Sequence, residues 1–246
     1  MVKKKWKKFV LTAFLGSLIL WSGYYLLERV PTFQVSKIII RGTEQCNPKD
    51  IEKFSNSTYN KCIFKIDLPN LHRKIKSIGW VKTVSVRRVL PNTLQINIQE
   101  RVPFGIIRAD QHYLVDNEGV VIAPIQNQKP WALPLITGIP EERLLASRRV
   151  NFPSLHSALE ILKLMQDLKV KWLSEVLEIS CENQENIVLY NKNRGREIRL
   201  GLNNLQEKVI YLQTIWDDIK TRVSGIEYID LRYNNQIIVK PENHII

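Results

Sequence analysis

Cysteine is scarce in this chain, with three residues in 246. That excludes a disulfide-dense scaffold and a cysteine-rich zinc module. Histidine is also scarce. His72, His112, His156 and His244 share no His-Glu-x-x-His or other metal-ligand spacing. There is no Gly-x-Ser-x-Gly elbow, no phosphate-binding loop and no dinucleotide fingerprint. Glu141-Glu142 and Asp217-Asp218 are adjacent carboxylates. Neighbours in a helix or strand point in different directions, so neither pair aims two acids at one substrate. An exported hydrolase therefore has little to rest on. Long apolar runs are limited to one, which excludes a polytopic membrane protein. Repeats and low-complexity tracts are absent. At 44 % hydrophobic and 24 % charged, the composition is that of a folded chain, not a disordered or collagen-like one.

Acidic residues are outnumbered, 24 against 36 basic ones, giving a net charge of +12. Part of that excess is local. Lys3, Lys4, Lys5, Lys7 and Lys8 precede Phe9 to Leu27, FVLTAFLGSLILWSGYYLL, which carries no charge. Nineteen helical residues span roughly 28 Å, close to the ~30 Å hydrocarbon core of a bilayer. The lysines hold the N-terminus in the cytoplasm and direct everything after Leu27 outward. Trp21, Tyr24 and Tyr25 fall at the outer end, where amphipathic rings favour the interface. Trp21 to Arg29 contains no small-x-small cleavage site, so the segment reads as an uncleaved anchor, not a signal peptide. The remaining basic residues are dispersed in short groups such as Arg87-Arg88 and Arg148-Arg149. Nucleic-acid binding needs a concentrated basic face, and an exported domain meets no nucleic acid.

Beyond the anchor the spacing predicts two units. Phe33 to Arg41 reads as a strand ending at Gly42. Asn47 and Pro48 open a short helix, and Asp67 to Lys76 forms a second, with Leu68, Leu71 and Ile75 on one face. Val81 to Val89 and Thr93 to Arg101 alternate as strands about a Leu90-Pro91-Asn92 turn. From Val102 on, strands dominate. Tyr113 to Ile122 is a hairpin turning at Asn117-Glu118-Gly119. Ser154 to Val170 and Asn204 to Lys220 are helices. The second carries Leu205, Val209, Leu212, Trp216 and Ile219 on one stripe, with a capping box expected from Asn204 and Glu207. Val176 to Cys181, Ile187 to Lys192, Glu197 to Leu200, Glu227 to Tyr233 and Gln236 to Lys240 read as strands.

Several strings, in order behind a single anchor, carry a resemblance. They are Ile39 to Gly42 (IIRG), Gly79-Trp80-Val81 followed by Val86-Arg87-Arg88, and Leu90 to Pro103 (LPNTLQINIQERVP). Tyr113 to Val121, Leu133 to Gly138 (LPLITG), Glu197 to Gly201 (EIRLG) and Tyr228 to Tyr233 (YIDLRY) follow. Together they resemble the bacterial cell-division family FtsQ/DivIB, and the strand-helix-helix-strand-strand unit is similar to that family's POTRA domain. Phe104-Gly105, Asn234-Asn235-Gln236 and the lack of a tryptophan near the last strand depart from the family pattern. The resemblance implies an α+β chain. It would have a cytoplasmic tail 1–8, a transmembrane helix 9–27, a POTRA domain 33–102, a β-rich C-terminal domain 103–241 with two long helices, and a tail 242–246.

The resemblance further implies a non-enzymatic inner-membrane protein of the division septum without cofactors or metals. It would bind FtsB and FtsL, small coiled-coil partners, through its last strands, and other division proteins through POTRA. The residues expected to carry partner binding are Arg232, Tyr233, Asn235, Ile237, Ile238 and Val239. The residue pattern agrees. Ile229, Leu231 and Tyr233 are expected on one face of a strand, Asp230 and Arg232 on the other. The last strand should form a sheet edge open to an incoming strand. The alternative is an ordinary terminal hairpin with Tyr233 in the core. An envelope-assembly or export chaperone is the other rival, although too few residues follow the POTRA unit for a barrel. Cys46 and Cys62 either bridge or remain buried free thiols, and Cys181 would stay unpaired.

Overall fold

The computed structural model describes residues 13–18, 22, 30–125, 131–146, 149–170, 176–183, 186–191, 197–223, 225–233 and 236–242. The chain is mixed α+β and divides into two compact units, residues 1–100 and 101–246. Residues 13–18 are helical, and the rest of the 9–27 run, Ser22 apart, lies outside the described residues. Among the described residues no helix is long and apolar enough to cross a membrane.

In the first unit, strands β1 (Lys37–Arg41), β2 (Val81–Val89) and β3 (Thr93–Glu100) form one sheet in the order β1-β3-β2. β1 runs parallel to β3, and β2 antiparallel to it. Helices α1 (Pro48–Ser55) and α2 (Leu68–Lys76) supply Ile51, Leu71 and Ile75 to a core shared with Leu94, Ile96 and Ile98. Burying each such aliphatic side chain favours folding by about 1.5–3 kcal/mol. Both helices start as their caps require. The Asn47 side chain accepts the Lys49 N–H at 3.0 Å, and Asp67 accepts that of Asn70 at 2.9 Å. Proline occupies the first turn of each helix, where its missing N–H costs no bond.

β1 starts at Lys37, later than the expected Phe33. Pro31–Phe33 closes a 3₁₀ turn instead, and Gln34 then bridges to Cys62. Gly42 ends the strand with a φ of +83°, and a Cβ there would lie 2.0 Å from the Ile98 carbonyl oxygen. Only glycine fits. At the end of β3, the Glu100 carboxylate accepts three backbone N–H groups, from Glu44 (2.9 Å), Gln45 (2.9 Å) and Cys46 (2.8 Å). That contact closes the loop between β1 and α1.

Among the described residues the second unit holds one nine-stranded sheet. Its strands are β4 (Gly105–Arg108), β5 (His112–Val115), β6 (Val121–Pro124), β7 (Leu135–Thr137), β8 (Val176–Asn183), β9 (Asn186–Asn191), β10 (Glu197–Arg199), β11 (Ile226–Asp230) and β12 (Ile238–Pro241). Their order is β12-β11-β10-β9-β8-β7-β4-β5-β6. A short helix α3 (Glu141–Ala146) and two longer ones, α4 (Pro153–Asp167) and α5 (Leu205–Arg222), complete it. Leu155, Leu159, Leu162 and Met165 of α4 are buried in one core with Leu205, Val209, Leu212, Trp216 and Ile219 of α5. These are the stripes that the 3-and-4 spacing marks.

Two local expectations fail. Asn204 does precede α5, but its φ is +54° and its side chain makes no capping bond. An N-cap oxygen reaches the first-turn N–H groups from extended backbone, not from the left-handed region, so no capping box forms. The strand expected through Tyr233 stops at Asp230. There the Asp230 carboxylate accepts the Arg232 backbone N–H at 3.0 Å and turns the chain. Alternation is lost: Ile229, Asp230 and Leu231 are all buried, while Tyr233 is 52 % exposed. The core role considered for Tyr233 is therefore excluded.

The three cysteines are free thiols, all buried, so the Cys46–Cys62 bridge that the sequence left open is not formed. Burial pushes the Cys46 thiol up to about 11, with the Glu100 and Asp50 carboxylates adding to the effect. Burial alone pushes Cys181 up to about 12.

Candidate functional site

β12 is the terminal strand of the nine-stranded sheet and pairs, antiparallel, with β11. Its register sets Ile238 against Asp230, Val239 against Ile229 and Lys240 against Tyr228. Among the described residues no strand pairs with its other side. A terminal strand leaves alternate backbone N–H and C=O groups pointing outward. Ile238 is exposed on it, whereas Val239 and the preceding Ile237 pack partly against the core. The edge is thus held from beneath and open at its rim.

Beside this edge lies a groove of about 480 Å³. Tyr211 and Lys208 of α5 form one wall, and Leu231, Tyr233, Gln236 and Ile237 the other. Tyr211 is 49 % exposed because it falls off the buried stripe of α5. Two half-exposed tyrosines facing a groove give an apolar body with a polar tip, a composition that suits protein contacts.

Ion pairs run along the strands beside the groove, while Glu207 and Lys208 line the groove itself. Arg232 donates to Asp230, from Nε at 2.9 Å and from a terminal nitrogen at 2.5 Å. Arg199 meets Glu197 at 2.6 Å, and Lys240 meets Glu227 at 2.9 Å. The Arg199 guanidinium also stacks 4.1 Å from the centre of the Tyr228 ring. Burial alone would raise the Asp230 carboxyl, but hydrogen bonds from the Arg232 side chain and backbone hold it below its ordinary value. Burial pushes the Lys208 ammonium down, although Asp230 opposes this, and Lys208 donates to the Leu200 carbonyl at 2.7 Å. With the strand charges matched internally, the edge offers a partner backbone groups and apolar side chains, and the groove adds the Glu207 carboxylate and the Lys208 ammonium.

The structure brings Tyr233 and Ile237 to one groove and sets Ile238 and Val239 on the adjoining strand. Arg232 turns towards Asp230 and braces the site more than it presents itself. Asn235 lies outside the described residues. Tyr211 and Lys208 were not foreseen. The available signal was an aromatic residue off the apolar stripe of an amphipathic helix, which is where an exposed ring becomes informative.

Elsewhere, the adjacent acids serve local contacts. Glu141 accepts the Tyr113 hydroxyl at 2.6 Å, and Asp218 accepts Arg222 Nε at 3.0 Å. Among the described residues no group of three or more His, Cys, Asp or Glu could hold a metal ion.

The family model described as POTRA domain, FtsQ-type, matches residues 33–101. The one described as Cell division protein FtsQ/DivIB, C-terminal, matches residues 105–232 and so ends just before β12. An FtsQ-type POTRA unit followed by this C-terminal domain defines a class of cell-division protein. The chain belongs to the FtsQ/DivIB family. It is 27 % identical to the cell division protein FtsQ of Syntrophotalea carbinolica, over 92 % of this chain and 78 % of that protein. It is 29 % identical to the FtsQ of Geotalea daltonii over 97 % of this chain and 88 % of the relative. For the FtsQ of Geobacter sp. strain M21 the values are 26 %, 89 % and 80 %. A role in cell division follows from this membership.

Proposed function

We propose that this chain is a single-pass protein of the cytoplasmic membrane that acts at the division septum without catalysis. In this reading residues 1–8 lie in the cytoplasm, 9–27 cross the bilayer, and the POTRA domain (33–102) and C-terminal domain (103–241) work outside. The lysine cluster before the uncharged run supports the orientation. Phe14, Leu15 and Leu18, on the described helical residues of that run, are exposed apolar side chains, as lipid-facing residues would be.

The partner-binding element is β12. A segment of an FtsB- or FtsL-type coiled-coil protein adds as a further strand at this edge, and an apolar side chain enters the Tyr211–Tyr233 groove. Strand addition supplies affinity through backbone hydrogen bonds, and the groove supplies selectivity. The POTRA unit contacts other division proteins. The link so made couples cytoplasmic division components to septal wall synthesis. The observation that carries the reading is the side of β12 with which no described strand pairs, beside the groove.

The test is the location of an N-terminally tagged fluorescent fusion that complements loss of the protein in dividing cells. A band at the constriction supports the reading. Uniform membrane signal through a full division cycle contradicts it and favours an envelope-assembly or export role.

A further inference from the structure

We infer that the POTRA unit carries a second membrane contact, a basic and aromatic face that rests on the anionic headgroups of the bilayer holding the anchor. This rests on the transmembrane reading of residues 9–27.

Val30 is three residues past Leu27, the end of the apolar run. Three residue steps reach at most about 11 Å, so Val30 lies close to the headgroup layer. The segment that begins at Val30 is stapled to one loop of the POTRA unit. Val35 N–H donates to the Lys61 carbonyl at 3.0 Å, and Asn60 N–H donates to the Val35 carbonyl at 3.0 Å. The Phe33 and Phe64 rings pack with their centres 5.5 Å apart. The loop around residues 59–65 is therefore tied to the chain at Phe33 and Val35, within at most about 22 and 29 Å of Leu27.

What that loop displays is unusual for a wet surface. Tyr59 is 41 % exposed and Phe64 39 %. Phe64 is not exposed through slackness. Arg88 clamps its turn, donating to the carbonyls of Ile63 at 2.7 Å, Ile66 at 2.8 Å and Phe64 at 3.4 Å. A guanidinium that holds three carbonyls of one turn keeps the backbone in place while the ring stays partly exposed. Aromatic rings with one apolar and one wet side favour the membrane interface.

Charge completes the match. Lys61, Lys65 and Lys74 line a groove of about 190 Å³ together with Thr58, and Thr58 and Lys65 are the chain neighbours of Tyr59 and Phe64. Asp67, which also accepts the Asn70 N–H at 2.9 Å, is the single carboxylate among the residues lining it, so three lysines against one carboxylate leave the lining net positive. A small groove with a net positive lining fits a phosphate-bearing headgroup better than a neutral one. Lysines held at an anionic surface each contribute roughly fivefold to partition.

The experiment uses the full chain reconstituted in vesicles, either phosphatidylglycerol and phosphatidylcholine in equal parts or phosphatidylcholine alone. A nitroxide is placed through Ser57→Cys, which lines the groove, and for comparison through Ser85→Cys on β2. The native cysteines are buried. Collision rates with lipid-soluble oxygen and with a water-soluble nickel chelate report depth. The expected result is a severalfold higher oxygen-to-nickel ratio at position 57 in anionic vesicles, with position 85 water-like in both. Lys61→Glu with Lys65→Glu should return position 57 to the water value, and the milder Lys61→Gln with Lys65→Gln should fall between. A water-like position 57 in anionic vesicles, in a chain that still floats with them after alkaline extraction, overturns the headgroup contact and leaves the anchor standing. Shielding from both reagents points to protein, a second copy of this chain, and also overturns it. A chain that does not float overturns the anchor and this inference together.

Discussion

Arg101 donates to the buried carboxylate of Asp116. The two residues come from separate strings, LPNTLQINIQERVP and YLVDNEGVV, that the sequence analysis singled out independently. Asp116 also accepts the N–H of Glu118 at 2.9 Å and of Val120 at 2.8 Å, which shapes the hairpin between β5 and β6. One carboxylate thus fixes the turn and anchors the start of the second unit.

Removing it should be costly. Asp116→Ala leaves the Arg101 guanidinium, only 11 % exposed, with just its longer 3.4 Å contact to Glu118, and leaves two turn N–H groups without their acceptor. We expect a loss of about 3–5 kcal/mol, the range for breaking a buried charge pair on one side. Urea unfolding of the variant checks this. A loss below about 1 kcal/mol would mean that solvent replaces the pair.

Cysteine chemistry gives a second prediction. Cys46 and Cys181 are buried and pushed up to about 11 and about 12, so little thiolate exists at pH 8. Iodoacetamide at pH 8 should add nothing at these two sites in the folded chain. After unfolding without reductant, mass spectrometry should find three adducts, one for each free thiol. A single adduct would reveal a Cys46–Cys62 bridge and correct the present structure.

Asp230 predicts a pH effect. Its carboxyl is held below its unfolded value, so its contribution is present in full above about pH 4, the ordinary aspartate value. The contribution is lost as pH falls through the lower folded value. Asp230→Asn should cost about 1–3 kcal/mol at pH 7, through weaker bonds to Arg232. The gap between wild type and variant should shrink as pH falls from 7 towards 3. Denaturant midpoints across that range measure it, and a gap independent of pH would contradict the ion-pair account.

Much of this architecture is legible in the residues. The Leu205, Val209, Leu212, Trp216 and Ile219 stripe locates the buried face of α5, and Gly119, with φ +76°, marks the β5–β6 turn. Long amphipathic elements and turns with special backbone carry their own signal. β7 does not, because three residues, Leu135–Thr137, are too few to show a period. The parallel pairing of β10 with β11 was equally hidden, since α5 separates the two strands in sequence. At the candidate site, the edge expected for the last strand is where the strand order places β12 among the described residues. Tyr211 was missed because helical spacing says which residues are buried, not which exposed ones face a groove. The reach of β11 was overestimated because alternation cannot register that Asp230 bends its own backbone.

The claim that β12 receives a partner strand is tested most directly by Ile238→Pro. Proline removes a backbone N–H and fits poorly into a paired strand, yet at an edge it need not unfold the sheet. The full chain, wild type and variant, would be titrated in lipid nanodiscs with the FtsB/FtsL-type coiled-coil pair of the same organism. The account predicts at least a tenfold loss of affinity, with far-UV circular dichroism and thermal unfolding close to wild type. Unchanged affinity in the folded variant would contradict it.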